Sequence, residues 1–392
     1  MCHYAACFFC LMAMAFGIPF SAFSAPFVPS QDDTVLERLP TTIQSGSVGA
    51  LRRLRQRLAT DSDNLDLAVQ TARQYLDLAR EASDPRYIGY AQAALAPWWA
   101  DRHPPLSVQV LRATIRQHLH DFESALADLD DVLTREPRQA QARLTRATVY
   151  RVIGRYPEAK RDCLRLLPVA SELLAVTCAT ELASLTGQGD HAYALLEQTW
   201  QRSGESPTTE RLWALTALAE MASRIGKLDL AERHYRNALR LDQRDGYLLG
   251  SFADFLLDQG RPGEVVTLLS GKEGADALLL RLTLAERRLH RPEASVHVSL
   301  LAARFDAARL RGDVVHRREE ARFALECLGQ PQRALELAQA NWAVQREPAD
   351  VRILLESAIA FGHRTAAESA LTWMRDHHVT DRQLQRLAAT LS

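Results

Sequence analysis

Two histidines, His118 and His120, stand two residues apart, and another pair, His377 and His378, is adjacent near the C-terminus. Imidazoles hold a metal when they converge, which on one helix requires a spacing of three or four. Residues two apart point to different faces, so the first pair makes no site, and the second is read as surface. The stretch "SGKEG" at 270–274 lacks the upstream glycine of a phosphate loop, and "SGSVG" at 45–49 has the wrong spacing for a nucleophile elbow. No H-E-x-x-H and no paired C-x-x-C occurs. "DLDD" at 128–131 is a charge run of the kind a solvated helix face carries. These residues predict no enzyme, no metal and no cofactor.

Six cysteines are present. Removal of an N-terminal leader takes Cys2, Cys7 and Cys10 and leaves Cys163, Cys178 and Cys327. An odd count argues against a disulfide framework. Cys163 and Cys178 flank a turn near Pro168 and are placed to face each other on neighbouring helices, but the simpler reading is small buried apolar side chains; whether they bond is left open.

The net charge of −1 and pI near 6.9 give no support for a nucleic-acid partner. Only Lys160, Lys227 and Lys272 are lysine among 47 basic residues, a codon-usage signature of a high-GC bacterial source. Arginine is dense at 304, 309, 311, 317, 318 and 322, with Asp306, Asp313, Glu319 and Glu320 interleaved; pairing on helix surfaces accounts for it.

The first 24 residues carry no Lys, Arg, Asp or Glu, and the apolar run starting at Ala5 has the length of a secretory leader, with Ala22 and Ser24 fitting a cleavage site before Ala25. The expectation is a signal peptide at 1–24, a periplasmic or secreted protein, and no integral span in the mature chain. An uncleaved membrane anchor is the competing reading. Residues 25–50, mixing Pro, Ser, Thr and Gly, are expected to be a linker.

Positioning falls to helices. From residue 51 onward apolar residues recur at helical spacing and breaks come at Gly or Pro. "RATIRQHLHDFESA" at 112–125 returns as "RATVYRVIGRYPEA" at 146–159, 34 residues later. Aligned on the small residue after the turn, the series runs Ala91, Ala125, Ala159, Ala194, Ala231, Val265, Ser295, Ala334, Ala367. From Ala91 to Ala367 this averages 34.5 residues per step.

Ala147, Gly154, Tyr156 and Ala159, and likewise Ala219, Gly226, Leu228, Ala231, Tyr235 and Ala238, match a small–Gly–aromatic–small pattern that resembles the tetratricopeptide repeat. The resemblance covers about residues 60–375. It implies an all-α solenoid of about nine antiparallel helix pairs, an array at 51–379, and a capping helix at 380–392 with Asp381 as N-cap. Trp98 and Trp99, after the first unit, are expected to seal the gap to the next.

The resemblance also implies a right-handed superhelix whose first helices line a concave groove. The family's carboxylate clamp is absent: the aligned positions are Val110 and Thr114, Leu144 and Thr148, Thr216 and Glu220, Gly250 and Asp254. The groove candidates are Trp213 and Tyr247, 34 apart, with Thr216, Glu220, Arg224, Asp254 and Asp258 on the same faces. The expected function is a non-catalytic scaffold of the bacterial cell envelope that binds a protein or peptide there. The alternative is an accessory subunit of a membrane enzyme or transporter complex.

Overall fold

Helix length in this chain is set by the spacing of its left-handed turn residues and prolines. The computed structural model describes residues 46–313 and 315–391. The expected leader, its cleavage site, and the linker up to residue 45 lie outside the described residues. Helix α1 (Gly46–Thr60) begins inside the last five residues of that linker. Nine antiparallel pairs follow: α2 (Leu65–Ala82) with α3 (Arg86–Ala94), then a single turn α4 (Ala96–Trp99); α5 (Leu106–His118) with α6 (Phe122–Arg135); α7 (Ala140–Val152) with α8 (Tyr156–Leu164). The middle pairs are α9 (Glu172–Leu185) with α10 (Gly189–Arg202), α11 (Thr208–Arg224) with α12 (Leu228–Leu241), and α13 (Gly246–Asp258) with α14 (Pro262–Leu269). The last are α15 (Asp276–Arg288) with the long α16 (Glu293–Leu310), α17 (Arg317–Arg322) with α18 (Pro331–Trp342), and α19 (Pro348–Phe361) with α20 (Glu368–Asp376). α17 continues through a π-helical turn, Phe323–Cys327. Helix α21 (Arg382–Leu391) closes the array, and Asp381 accepts from the backbone N–H of Gln383 and Leu384 at its start. No strand occurs among the described residues.

Each pair turns on a residue with positive φ, and in six of the nine a buried alanine follows five positions later. Gly154 (φ 79°) precedes Ala159, and where no glycine is present His120 takes the same conformation (φ 60°) before Ala125. The turn geometry corrects the aligned series in the fourth unit, and burial corrects it in the seventh. The left-handed residue of the fourth pair is Gly187, so the buried small residue is Ala192, and Ala194 is exposed. In the seventh pair His290 makes the turn, Ala294 is buried, and Ser295 faces solvent.

The repeated phrase at 112 and 146 encodes a buried ion pair. Arg112 grips Asp128 through Nε (2.9 Å) and Nη2 (2.7 Å), and Arg146 grips Asp162 through Nε (2.7 Å) and Nη2 (2.8 Å). Both pairs span 16 residues and tie the first helix of a unit to its second. Asp128 is therefore not part of a solvated face; only Asp130 of that run is well exposed, and it meets Arg146 of the next unit at 2.6 Å. Arg112 also donates to the carbonyls of Trp99 and Asp101, so its desolvated guanidinium is held on several sides. Trp98 and Trp99 are half-buried against the first hydrophobic cluster.

Cys163 and Cys178 form a disulfide joining α8 to α9, so they are not merely packed apolar side chains. Cys327 is free and buried, and burial pushes its thiol up to about 12.

The superhelix winds tightly enough that successive coils touch. The turn of the first pair meets the loop before α13: Arg80 bonds Asp245, Glu81 pairs with Arg244 at 3.3 Å, and Ser83 sits against Gly246. The turn of the third meets the loop before α19, where the Arg346 N–H donates to the Val152 carbonyl at 2.7 Å. The turn of the fourth, Gly187, lies under the backbone of His378 before α21. One coil thus takes about five units. His377 is half-buried in this seam, edge-on to Tyr156 at 4.9 Å, which corrects its reading as surface.

Candidate functional site

Because the coil closes in five units, the first helices converge on a narrow axis rather than an open groove. Along that wall a donor on one first helix reaches a carboxylate one unit back. Trp213 Nε1 donates to Glu181 at 3.1 Å, the Tyr247 hydroxyl to Glu220 at 2.8 Å, and Arg281 to Asp254 at 2.6 and 2.9 Å.

The structure treats the seven groove candidates differently. Trp213 is half-buried, its ring packed in the cluster around the Cys163–Cys178 disulfide. Thr216 is buried and donates to the Leu212 carbonyl, offering the axis no surface. Glu220 accepts from Tyr247 and Ser251, and Arg224 donates to Ser184 at 2.9 Å. Tyr247 is 64% exposed, the most accessible aromatic side chain of the wall. The Glu220 carboxylate beside it pushes its phenol well above the ordinary range. Trp213 and Tyr247 do not stack on each other; each is docked on its own glutamate.

Asp254 and Asp258 are engaged by residues that sequence reasoning did not place here. Arg322 of α17 reaches Asp254 at 2.6 Å, and Arg352 of α19 grips Asp258 through both terminal nitrogens at 2.8 Å. Burial pushes the Asp254 carboxyl up, but Arg281 and Arg322 outweigh it and hold it well below the usual carboxylate range. A cavity of about 70 Å³ remains among Asp254, Arg281, Arg318, Glu319, Arg322 and Arg352. Farther along the axis Arg151 pairs with Glu347 at 3.0 Å, and burial pushes the Glu181 carboxyl up against the pull of Arg151.

The arginine-dense stretch divides accordingly. Arg309 and Arg311 pair locally with Asp306 and Asp313, as surface pairing predicts. Arg304 reaches back to Asp276, while Arg318 and Arg322 turn inward. The sequence carried one signal for the inward pair: Arg322 follows Asp254 by 68 residues, two repeat lengths.

Chemically the wall is a set of satisfied ion pairs with one exposed phenol. Among the described residues no three His, Cys, Asp or Glu side chains converge to hold a metal. None of their helices is long and apolar enough to cross a membrane.

No protein-family model matches the chain, and no curated protein matches it. Solved structures do. A chain of the anaphase-promoting complex hetero-tetramer Cut9-Hcn1 is 16% identical over 79% of this chain, with a TM-score of 0.39, and this chain spans 52% of its length. A tetratricopeptide repeat protein from Parabacteroides merdae ATCC 43184 is 14% identical, covering 74% of this chain and 99% of its own, with a TM-score of 0.36. The human IFIT1 dimer, solved with m7Gppp-AAAA, is 14% identical, covering 88% of this chain and 87% of its own, with a TM-score of 0.43. Among the described residues the chain is an all-α solenoid of nine antiparallel helix pairs, and the solved structures it is similar to include a tetratricopeptide repeat protein.

Proposed function

We propose that the protein is a non-catalytic scaffold of the bacterial cell envelope that binds a protein or peptide along its axial wall. The observation that carries this reading is Tyr247, 64% exposed on a wall whose other aromatic and charged groups are already partnered. A rigid ring beside fixed polar groups is the usual anchor of a peptide site. Trp213, Glu220 and Arg224 contribute by orienting that stretch, and Asp254 and Asp258 by holding the far end closed. The near-neutral net charge favours a protein over a nucleic acid. The Cys163–Cys178 disulfide fits an oxidising compartment such as the periplasm.

The test is co-purification from envelope extracts with wild-type protein and Tyr247→Ala. A partner retained by wild type and weakened about tenfold by the variant, at an unchanged melting temperature, supports the reading. Equal capture by both removes Tyr247 from the site. Sequencing the mature N-terminus separates a processed periplasmic protein from the alternative, an accessory subunit held in the membrane by its apolar first 24 residues.

A further inference from the structure

A second surface, away from the axis, has a more specific chemistry. Helix α1 carries Arg52, Arg53, Arg55 and Arg57 and no acidic residue. All four are exposed, and none makes an ion pair with another described residue, in a protein whose arginines are otherwise widely paired. The apolar side of α1, Leu51 and Leu54, is buried against the first cluster and the α2 side of the fold.

Between α1 and α3 lies an open groove of about 780 Å³. Arg52 and Arg55 form one wall and Tyr90, Ala94 and Pro97 the other, with Tyr75 of α2, itself 4% exposed, beneath the floor. Tyr90 is 44% exposed and leans on Tyr75 with ring centroids 5.4 Å apart, so the apolar lining is aromatic and held in place. The lining residues of α1 run from Arg52 to Ala59, two helical turns, or about 11 Å. The carboxylates that follow come after α1 has ended, and Asp61 is taken by Asn64 at 2.9 Å.

We infer that this groove docks a short amphipathic helix of a partner protein, with apolar side chains on Tyr90 and acidic ones against Arg52 and Arg55. Charge on one wall and an exposed ring on the other match a ligand whose charged and apolar sides are a helix face apart. A flat anionic surface would meet Arg53 and Arg57 on the outer face of α1 and leave the floor empty. The proposal is independent of the axial site.

The experiment uses the full chain and fluorescein-labelled model peptides of about 16 residues, one with Glu/Leu patterning and one with Lys/Leu, read by anisotropy. The acidic peptide is expected to bind. Its affinity is expected to fall at least tenfold in the double variant Arg52→Glu/Arg55→Glu and in Tyr90→Ala, and to stay within threefold in Arg53→Glu/Arg57→Glu. Far-UV circular dichroism checks that each variant is folded. Equal binding of the Lys/Leu peptide, or unchanged binding by Arg52→Glu/Arg55→Glu, overturns the proposal. So does binding of phosphatidylglycerol vesicles without binding of the peptide, which would make the patch a lipid contact. A synthetic peptide of residues 31–40, "QDDTVLERLP", that outcompetes the probe would assign the groove to the chain's own segment and overturn the partner.

Discussion

Arg322 of the eighth helix pair donates to Asp254 of the sixth at 2.6 Å, across two repeats of sequence. Arg281 of the intervening pair holds the other side of the same carboxyl. Three successive first helices are therefore pinned to one aspartate where a regular groove would leave the wall open.

Breaking this contact at one partner should cost more than breaking it at both. Asp254→Asn and Arg322→Gln are each expected to lower unfolding free energy by about 1–3 kcal/mol, discounted from a fully buried pair because both groups keep some solvent. The double variant should recover part of the loss, and urea unfolding of the full cycle reads the coupling. Additive losses would mean that the pair is not coupled.

The same aspartate gives a pH signature. Its folded pKa lies below its unfolded value of about 3.9. The stabilisation is thus fully present above that pH and is lost as pH falls toward the folded value. The stability difference between wild type and Asp254→Asn should be flat from pH 5 to 8 and shrink below pH 4. A difference that grows on acidification contradicts the assignment.

In the second unit, Asp128→Asn leaves Arg112 buried without its counter-charge and should destabilise by about 3 kcal/mol. The loss should fall on the pairs α5–α6 and α7–α8, so hydrogen exchange there should rise before it does in the C-terminal pairs. Uniform exchange would argue for a cooperative unit larger than the repeat.

Turn glycines divide into two kinds. A Cβ at Gly154 would approach Arg346 Cδ to 3.2 Å, whereas one at Gly260 would meet nothing within 4 Å. Both have positive φ, so each alanine variant carries a left-handed penalty of about 1–2 kcal/mol. Gly154→Ala should melt lower than Gly260→Ala because only it disturbs the contact between coils. Equal melting temperatures would show that the seam gives way freely.

The disulfide closes a loop of sequence separation 15, for which chain entropy predicts about 3 kcal/mol. Reduction, or the Cys163→Ala/Cys178→Ala double variant, should lower the urea midpoint and increase the exposure of Trp213, which packs on the same cluster. No change in Trp213 fluorescence would separate the disulfide from the axial wall.

The repeat itself was legible in the sequence because it is local. Apolar spacing of 3.6, a left-handed residue at each turn and, in most pairs, a buried alanine five positions on lie within one helix pair, and each pair enforces them by its own packing. Where the reading slipped, either of two nearby residues fitted the pattern: the left-handed turn at Gly187 chose Ala192 over Ala194, and packing alone put Ala294 rather than Ser295 inside. The groove candidates lie on first helices, but what they meet was not legible. Whether Asp254 faces solvent or Arg322 depends on the rotation between neighbouring units summed over the two that separate them, and closure of the coil depends on the same rotation summed over about five. No single repeat encodes that sum, so closure of the coil, the contacts of Gly154 and Gly187, and the narrow axis were decided by the tertiary structure alone.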